Sequence, residues 1–397
     1  HVASAGLMQI NQEKYALIRD GIPVTVRKSD GTTDTKMAVV IDFNHPSDNY
    51  FLAIKELKIH GELYHRRTDI VGFVNGIPLL FVELKAMHVD VRNAYEDNYK
   101  DYQTTIPQLF YYNAIIIFSN GAEAKVGTLG SPYQFFHEWK RLDESEQGNV
   151  YLETMLRGIC KKENLLDLVE NFILFDRSDG KVAKILARNH QYLGVNAAVQ
   201  AYYLHKLKEG KLGVFWHTQG SGKSYSMVFM ANKILRKASG STTIMVLTDR
   251  DELNRQISGT FESCGLLTNK LSQYIAKSGD DLITKLKGDG KFIFSLIMTF
   301  AMSIGVNAQN HIEGSTVLDN WFVGASVGVS APQTHAFDWA QHSSWIQLYR
   351  PNIAVEIGKN FTPITTLSVS EEVRINTTGA KTAFDTNYLW GNLRFNI

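Results

Sequence analysis

Cysteine is close to absent from this sequence. Only Cys160 and Cys264, far apart, occur in 397 residues. That excludes a disulfide scaffold and a cysteine-built zinc site, and it fits a reducing, cytoplasmic compartment. No apolar run approaches the roughly 20 residues of a membrane-spanning helix, and no signal peptide is visible. Charge of one sign is lacking too. The formal net charge is +1, so any contact with nucleic acid must come from local basic patches and not from an overall field. Internal repeats and low-complexity tracts are missing. The chain opens on His1 and not on Met, so the natural N-terminus is expected to lie upstream.

What is present describes a globular protein of roughly two to three domains. Hydrophobic residues make up 44% and charged residues 20%, enough apolar material for a real core. Three textures follow one another, and the fold class they predict is α/β with a short antiparallel β tail. Residues 1–160 mix strand-like runs (Met37–Phe43, Asp69–Val74, Ile77–Leu84, Asn113–Ser119) with a polar, tyrosine-rich helix at Val91–Tyr102. Asn75-Gly76 and Asn120-Gly121 fall between apolar runs, a strong hairpin signal because both turn positions need positive φ. Residues 161–305 alternate helix and strand: helix Ala197–Leu207, buried strand Leu212–Trp216, helix Gly222–Lys237, strand Thr242–Leu247, helix Glu252–Phe261, strand Phe292–Thr299. That order predicts a parallel α/β sheet. Residues 312–397 are poor in lysine and show period-two alternation in Trp321–Val329, Asn352–Gly358, Leu367–Ile375 and Leu389–Ile397, which predicts antiparallel strands.

The second region holds a phosphate-loop pattern. Gly220-Ser221-Gly222-Lys223-Ser224 lies between an expected strand and an expected helix. Glycines there let backbone N–H groups approach phosphate oxygens, the helix N-terminus adds its dipole, Lys223 reaches the β- and γ-phosphates, and the Ser224 hydroxyl ligates Mg²⁺. The strict pattern has glycine where His217 stands. A glycine-rich turn capping a helix is the bland alternative. The surrounding residues resemble superfamily 2 helicase motors: Gln191 matches the glutamine that reads adenine, and Thr248, Arg250, Leu253 and Gln256 of "VLTDRDELNRQ" match an element that touches the tracked DNA strand. An ATPase motor also needs an acidic motif after a later strand. None follows Phe300. Glu371-Glu372 lies inside a period-two strand pattern, and a second motor lobe with its arginine fingers is absent.

The first region holds "RRTDIVGFVNGIPLLFVELK", Arg66 to Lys85. A metal-dependent phosphodiesterase needs two carboxylates for Mg²⁺ and a lysine near the attacked phosphate. Glu83 and Lys85 are two apart and project from one face of a strand. A two-residue turn at Asn75-Gly76 would pair Asp69 with Val82 and leave Asp69 on the opposite face from Glu83. A one-residue bulge near Gly72 or Pro78 restores the parity. The site therefore requires a bulged hairpin. The bland alternative is a surface hairpin with charged ends. Against it, Leu79–Val82 is wholly apolar and reads as buried on both faces, where terminal charges need partners or a metal.

Together, "ALIRDGIPVTV", "RRTDIVGFVNGIPLLFVELK", "TIPQLFYYN", "FHEWKR" and "FWHTQGSGKSYSM" with "VLTDRDEL" resemble the restriction subunit of type I restriction–modification enzymes over about residues 8 to 300. The resemblance implies a PD-(D/E)xK nuclease domain followed by the first, incomplete RecA-like lobe of a DNA translocase. It implies Mg²⁺ and ATP as cofactors, double-stranded DNA as substrate, and modification and specificity subunits as partners. By it, Asp69, Glu83 and Lys85 are the cleavage residues, and Asn98 and Tyr102 match a Gln-x-x-x-Tyr element on the next helix, with Asn in place of Gln. The tail stretches "DNWFVGASVGVS", "RPNIAVEIGKNFTP" and "TTLSVSEEVRIN" resemble a Bacteroidetes OmpA-like outer-membrane barrel, with about four strands where a closed barrel needs eight. A foreign junction near residues 301–315 is expected. Two other classes stay open: a repair or recombination nuclease–helicase, and a non-catalytic membrane or binding protein dominated by the tail.

Overall fold

The computed structural model describes residues 4–208, 210–301 and 303, and beyond these the backbone of four strands between 321 and 395. The chain divides into two compact units. One holds His1–Ile275 with Asp289–Phe294, the other Ala276–Gly288 with Ser295–Ile397.

The first unit opens with helix α1 (Ser4–Asp20) and an exposed antiparallel hairpin, β1 (Ile22–Arg27) with β2 (Thr33–Ala38). The strand expected at Met37–Phe43 is thus displaced: only Met37 and Ala38 are extended in a ladder, and the residues after them join no strand, Val40 and Asp42 being held instead by the Asn75 and Asn49 side chains. Strand β3 (Phe51–Lys55) follows, then a small hairpin of β4 (Lys58–His60) and β5 (His65–Arg67), then β6 (Ile70–Val74) and β7 (Ile77–Leu84). A π-helical turn at Ala94–Tyr99 runs straight into helix α2 (Lys100–Thr105), which leads to β8 (Ile115–Ser119) and β9 (Ala124–Gly127). The five longer-range strands form one sheet in the order β3-β6-β7-β8-β9. The helical crossover makes β7 and β8 parallel, while the other neighbours are antiparallel.

β7 is the centre of this sheet. Leu79, Leu80, Phe81 and Val82 are all buried, as are all five residues of β8, because the strands are covered on both faces. Asn75 (φ 49°) and Gly76 (φ 81°) make the tight turn before β7. At Asn120-Gly121 the Asn120 Oδ1 accepts from the backbone N–H groups of Ala122 and Glu123 and closes the turn between β8 and β9.

Helices α3 (Leu152–Ile159) and α4 (Lys162–Asn171) lead to an antiparallel pair, β10 (Ile173–Asp176) with β11 (Ala183–Leu186). This hairpin was not anticipated from sequence. Two buried groups tie it to α1 and the sheet. Tyr15 Oη donates to the Ile173 carbonyl at 3.4 Å and to the Val169 carbonyl of α4 at 2.7 Å, and the Lys184 ammonium donates to Asn11 Oδ1 and the Asn113 carbonyl at 2.8 and 2.7 Å. Burial without a carboxylate partner pushes the Lys184 amine down to about 7.

Helix α5 (Asn189–Tyr203), helix α6 (Lys223–Lys237), strand β12 (Ile244–Thr248), helix α7 (Asp251–Ser263) and strand β13 (Phe292–Leu296) follow the expected alternation. Among the described residues the parallel sheet itself is not assembled, and β12 pairs there with β13 alone. The expected buried strand Leu212–Trp216 is the clearest correction. It forms no ladder, and Val214 and Trp216 are 94% and 79% exposed. β13 stops at Leu296, where the backbone turns helical.

The second unit contains helix α8 (Gly279–Lys287), capped by Ser278, whose Oγ accepts from the Asp281 N–H at 3.2 Å. It also contains the antiparallel sheet β14 (Trp321–Ser330), β15 (Arg350–Asn360), β16 (Thr365–Thr378) and β17 (Lys381–Phe395), in sequential order with a register shift at Val373/Arg374. Each strand covers most of a segment whose alternation predicts one. The junction expected at 301–315 lies outside the described residues apart from Ala301 and Ser303.

Candidate active site

The β6–β7 hairpin is bulged where the parity argument requires. Val74 pairs with Ile77 and Phe73 with Pro78, but Gly72 pairs with Leu80, so Leu79 is the extra residue on β7. Pro78 has no N–H to lose from the ladder. Gly72 has no Cβ, and one placed there would lie 3.0 Å from Leu80 Cβ. Beyond the bulge Ile70 pairs with Val82, which sets Asp69 opposite Glu83.

Glu83 is 2% exposed. Its Oε2 is buried without a hydrogen-bond partner among the described residues. Burial, reinforced by the Asp69 charge and only partly offset by Lys85, pushes the Glu83 carboxyl up to about 8. Asp69 Oδ2 accepts from the Leu84 N–H at 2.7 Å, which fixes its carboxylate across the strand pair. The Lys85 backbone N–H bonds the Ser119 carbonyl at 2.8 Å, and its ammonium donates to Asn98 Oδ1. Asn98 Nδ2 donates to Tyr102 Oη at 3.3 Å, and that hydroxyl donates to the Arg67 carbonyl at 3.0 Å. The π-helical turn gives this face its register: Asn98 and Tyr102 reach the strand ends while Tyr99 turns into the core. Asp69, Glu83, Lys85, Asn98 and Tyr102 are therefore gathered at one end of the sheet. The π turn and the Arg67 contact carry no sequence signal.

The donor set fits a hard divalent cation: two facing carboxylates, one oxygen of which lacks any other partner. Among the described residues the cluster of three metal-type ligand atoms is elsewhere, at Asp42, His45 and Asp48 on an exposed turn. There the Asp42 carboxylate already accepts from the His45 ring and from two backbone N–H groups.

The phosphate-loop residues form a turn ending at Gly222 (φ 84°, ψ 36°), which caps α6. Lys223 Nζ donates to the carbonyls of His217 and Thr218 at 2.8 and 3.2 Å, closing the loop on itself. Ser224 lies in the first turn of α6, half-buried. Gln191 meets the loop, but by its backbone. Its Oε1 accepts from the Arg188 N–H at 2.8 Å, and its Nε2 donates to the Gly222 carbonyl at 2.9 Å. A Cβ on Gly222 would strike that Nε2 at 2.8 Å. His217, in the place of a glycine, packs edge-on to His190 at 4.8 Å and is pushed down by burial. A cavity of about 750 Å³ opens beside the loop, lined by Arg188, His190, Trp216 and His217 together with Lys125, His137 and Arg141. Its walls come from segments far apart in sequence, so no motif reveals it. Thr248 is buried at the end of β12, whereas Arg250 and Gln256 are exposed on α7 and its cap. The structure brings these three to neighbouring elements but to no common cluster.

Residues 2–135 match the family described as type I restriction enzyme R protein N terminus, and residues 190–323 match the SWI2/SNF2 ATPase family. Among individual relatives, the type I restriction enzyme HindI endonuclease subunit of Haemophilus influenzae is 37% identical over 74% of this chain and 29% of its own. The putative MjaIXP endonuclease subunit of Methanocaldococcus jannaschii is 31% identical over 63% of this chain and 26% of its own. The SsaAORF53P endonuclease subunit of Staphylococcus saprophyticus is 24% identical over 76% of this chain and 30% of its own. The chain thus spans less than a third of the relatives it matches. The chain is thus similar to restriction-enzyme subunits, with a first region like the N terminus of their R protein and a later region like the SWI2/SNF2 ATPases. These likenesses lend no support to a membrane-barrel tail, and the ATPase match runs on to residue 323, beyond the expected junction. Among the described residues no helix is long and apolar enough to cross a membrane.

Proposed function

We propose that this chain is the N-terminal part of a type I restriction subunit, a Mg²⁺-dependent DNA endonuclease of the PD-(D/E)xK kind joined to the first lobe of an ATP-driven DNA translocase. The observation that carries the reading is the bulge at Leu79, which turns two carboxylates toward each other and leaves Glu83 Oε2 without a partner. Asp69 and Glu83 hold the cation. A bound Mg²⁺ would supply an acidified water and neutralise charge on the attacked phosphate. Lys85 stands beside the reacting phosphate and steadies the developing negative charge. Asn98 sets the lysine's direction, and Tyr102 fixes Asn98 by anchoring it to the β5 backbone. In the motor part, Lys223 would serve the β- and γ-phosphates of a bound ATP, Ser224 would hold its magnesium, and Gln191 braces the loop. Gly220, Ser221 and Gly222 present backbone N–H groups to the phosphates. Thr248, Arg250 and Gln256 face the tracked strand. Modification and specificity subunits supply target readout in the cytoplasm.

The test is Lys85→Ala in the assembled restriction enzyme that contains this subunit. Cleavage should fall about 10²–10³-fold, the usual loss for one transition-state charge partner, while ATP hydrolysis is unchanged. Retained cleavage would refute the nuclease assignment. A stand-alone repair nuclease–helicase remains the second reading of the same residues. Cleavage without the modification and specificity subunits would favour it.

A further inference from the structure

The β4–β5 hairpin stands immediately before Asp69 and is clamped to the element that carries Tyr102. Its register is Lys58↔Arg67, Ile59↔Arg66 and His60↔His65. Alternation sends Ile59 and Arg66 to one face and the other four side chains to the opposite one. The inner face is fully occupied. Ile59 packs against the core, the Arg66 guanidinium forks onto Asp101 of α2, and Gln108 Nε2 donates to the His60 carbonyl at 2.9 Å. A Cβ on Gly61 would lie 2.1 Å from the Thr105 carbonyl oxygen, so the hairpin tip is seated directly on the end of α2.

The outward face is different. Lys58 stands opposite Arg67, the His60 ring lies 4.3 Å from the His65 ring, and all four residues are exposed. Like charges directly across a strand pair destabilise it. The ion pair available to Arg67 is Glu56 at 3.9 Å, between two side chains that are 63% and 58% exposed, which is worth little. A strand pair whose outward partners are all basic, held rigid and ending two residues from Asp69, matches a polyanion running past the carboxylates. We propose that this face grips the phosphate backbone of duplex DNA beside the scissile bond, Lys58 and Arg67 each holding one phosphate and His60 and His65 lying along the same strand. The proposal rests on the nuclease reading above and adds the surface that aligns the substrate with it. Tyr102 connects the two, since its hydroxyl bonds the Arg67 carbonyl on one side and Asn98 on the other.

The experiment is fluorescence anisotropy of a short mixed-sequence duplex with the whole 397-residue chain, titrated at several salt concentrations. The double variant Lys58→Gln/Arg67→Gln should bind about tenfold or more weakly, and its log K against log salt slope should fall by about 0.9 for each residue removed. Its thermal midpoint should hold or rise, because an opposed pair of like charges has been relieved. The charge-keeping swap Lys58→Arg/Arg67→Lys should retain the wild-type slope. An unchanged slope in the Gln variant, or a swap that loses as much as the Gln variant, overturns the proposal. Mn²⁺ titration of Glu83→Gln against the unaltered chain judges the nuclease reading separately. Loss of Mn²⁺ uptake there alongside an unchanged hairpin slope sinks the hairpin alone, and no Mn²⁺ uptake by the unaltered chain sinks the nuclease reading and the hairpin's aligning role with it, whatever the slope says of duplex binding.

Discussion

The nuclease-like end and the phosphate-loop end of this chain both carry an ordered set of motif residues, yet they are built to different degrees. Glu83 sits on the central strand of a five-stranded sheet, with Asp69 just before β6 and Lys85 just after β7, so all three gather where two neighbouring strands in register end. Lys223 sits after a segment that joins no strand, the following sheet holds only β12 and β13 among the described residues, and the lysine bonds carbonyls of its own loop. The first site is made by local covalent order plus one bulge, within about twenty residues of chain. The second depends on a central parallel sheet, whose strands are distant in sequence and pair through crossovers. A segment can therefore bring its motif carboxylates and lysine together through local order while another brings together only the glycine-rich loop of its motif.

That contrast can be broken most sharply at the bulge. Gly72→Val puts a branched side chain where even a Cβ lies 3.0 Å from Leu80 Cβ. The expected loss is about 2–3 kcal/mol of stability, read by chemical denaturation, together with loss of Mn²⁺ uptake. If uptake persists at full affinity, the register does not make the site.

The next effect separates the cradle's charge from its packing. Glu83 titrates near 8 in the folded chain and near 4.5 when unfolded. The folded state therefore binds the extra proton between those values, and stability from this group falls as pH rises through that window. Glu83→Gln should raise stability above pH 8 by about 1–2 kcal/mol while abolishing divalent binding. In the unaltered chain, Mn²⁺ affinity should climb up to about tenfold per pH unit below 8 and level off above it, because the cation must displace one proton. Isothermal titration across that range checks both. A flat pH profile would mean that Glu83 is ionised before the cation arrives.

How much of this was legible depended on whether the signal was local. The ends of β7, the Asn75-Gly76 turn and the need for a bulge all follow from residues that touch one another in sequence, and the parity of a strand leaves few choices. The π-helical turn at Ala94–Tyr99 was not legible, because its extra residue is a matter of register against β7 and β8 and not of composition. Leu212–Trp216 misled for the opposite reason. Its run of apolar residues reads as a buried strand, but a strand needs ladder partners, and among the described residues none lies beside it. Leu212 is half-buried, and Phe215 rests against Gly194, where a Cβ would lie 2.6 Å from the ring, yet it stays 37% exposed. β10 and β11 were missed because four-residue strands leave too little periodicity to see. In the tail, alternation alone located all four strands, as backbone pairing of period two should allow.

The smallest expected effects belong to the phosphate loop. Lys223→Ala should abolish ATP binding yet change stability by no more than about 0.5 kcal/mol, since the side chain is exposed and bonds only two loop carbonyls. Trp216 provides the readout. It is 79% exposed and lines the cavity beside the loop together with His190 and Arg188. Nucleotide entering that cavity should cover its indole, so tryptophan emission should shift to the blue and titrate with ATP, and Trp216→Phe should remove most of the signal. The shift should vanish in Lys223→Ala and survive in Lys85→Ala. A shift that survives Lys223→Ala would mean that the cavity takes up nucleotide without the loop, and the two ends of the chain would then differ in chemistry as well as in completeness.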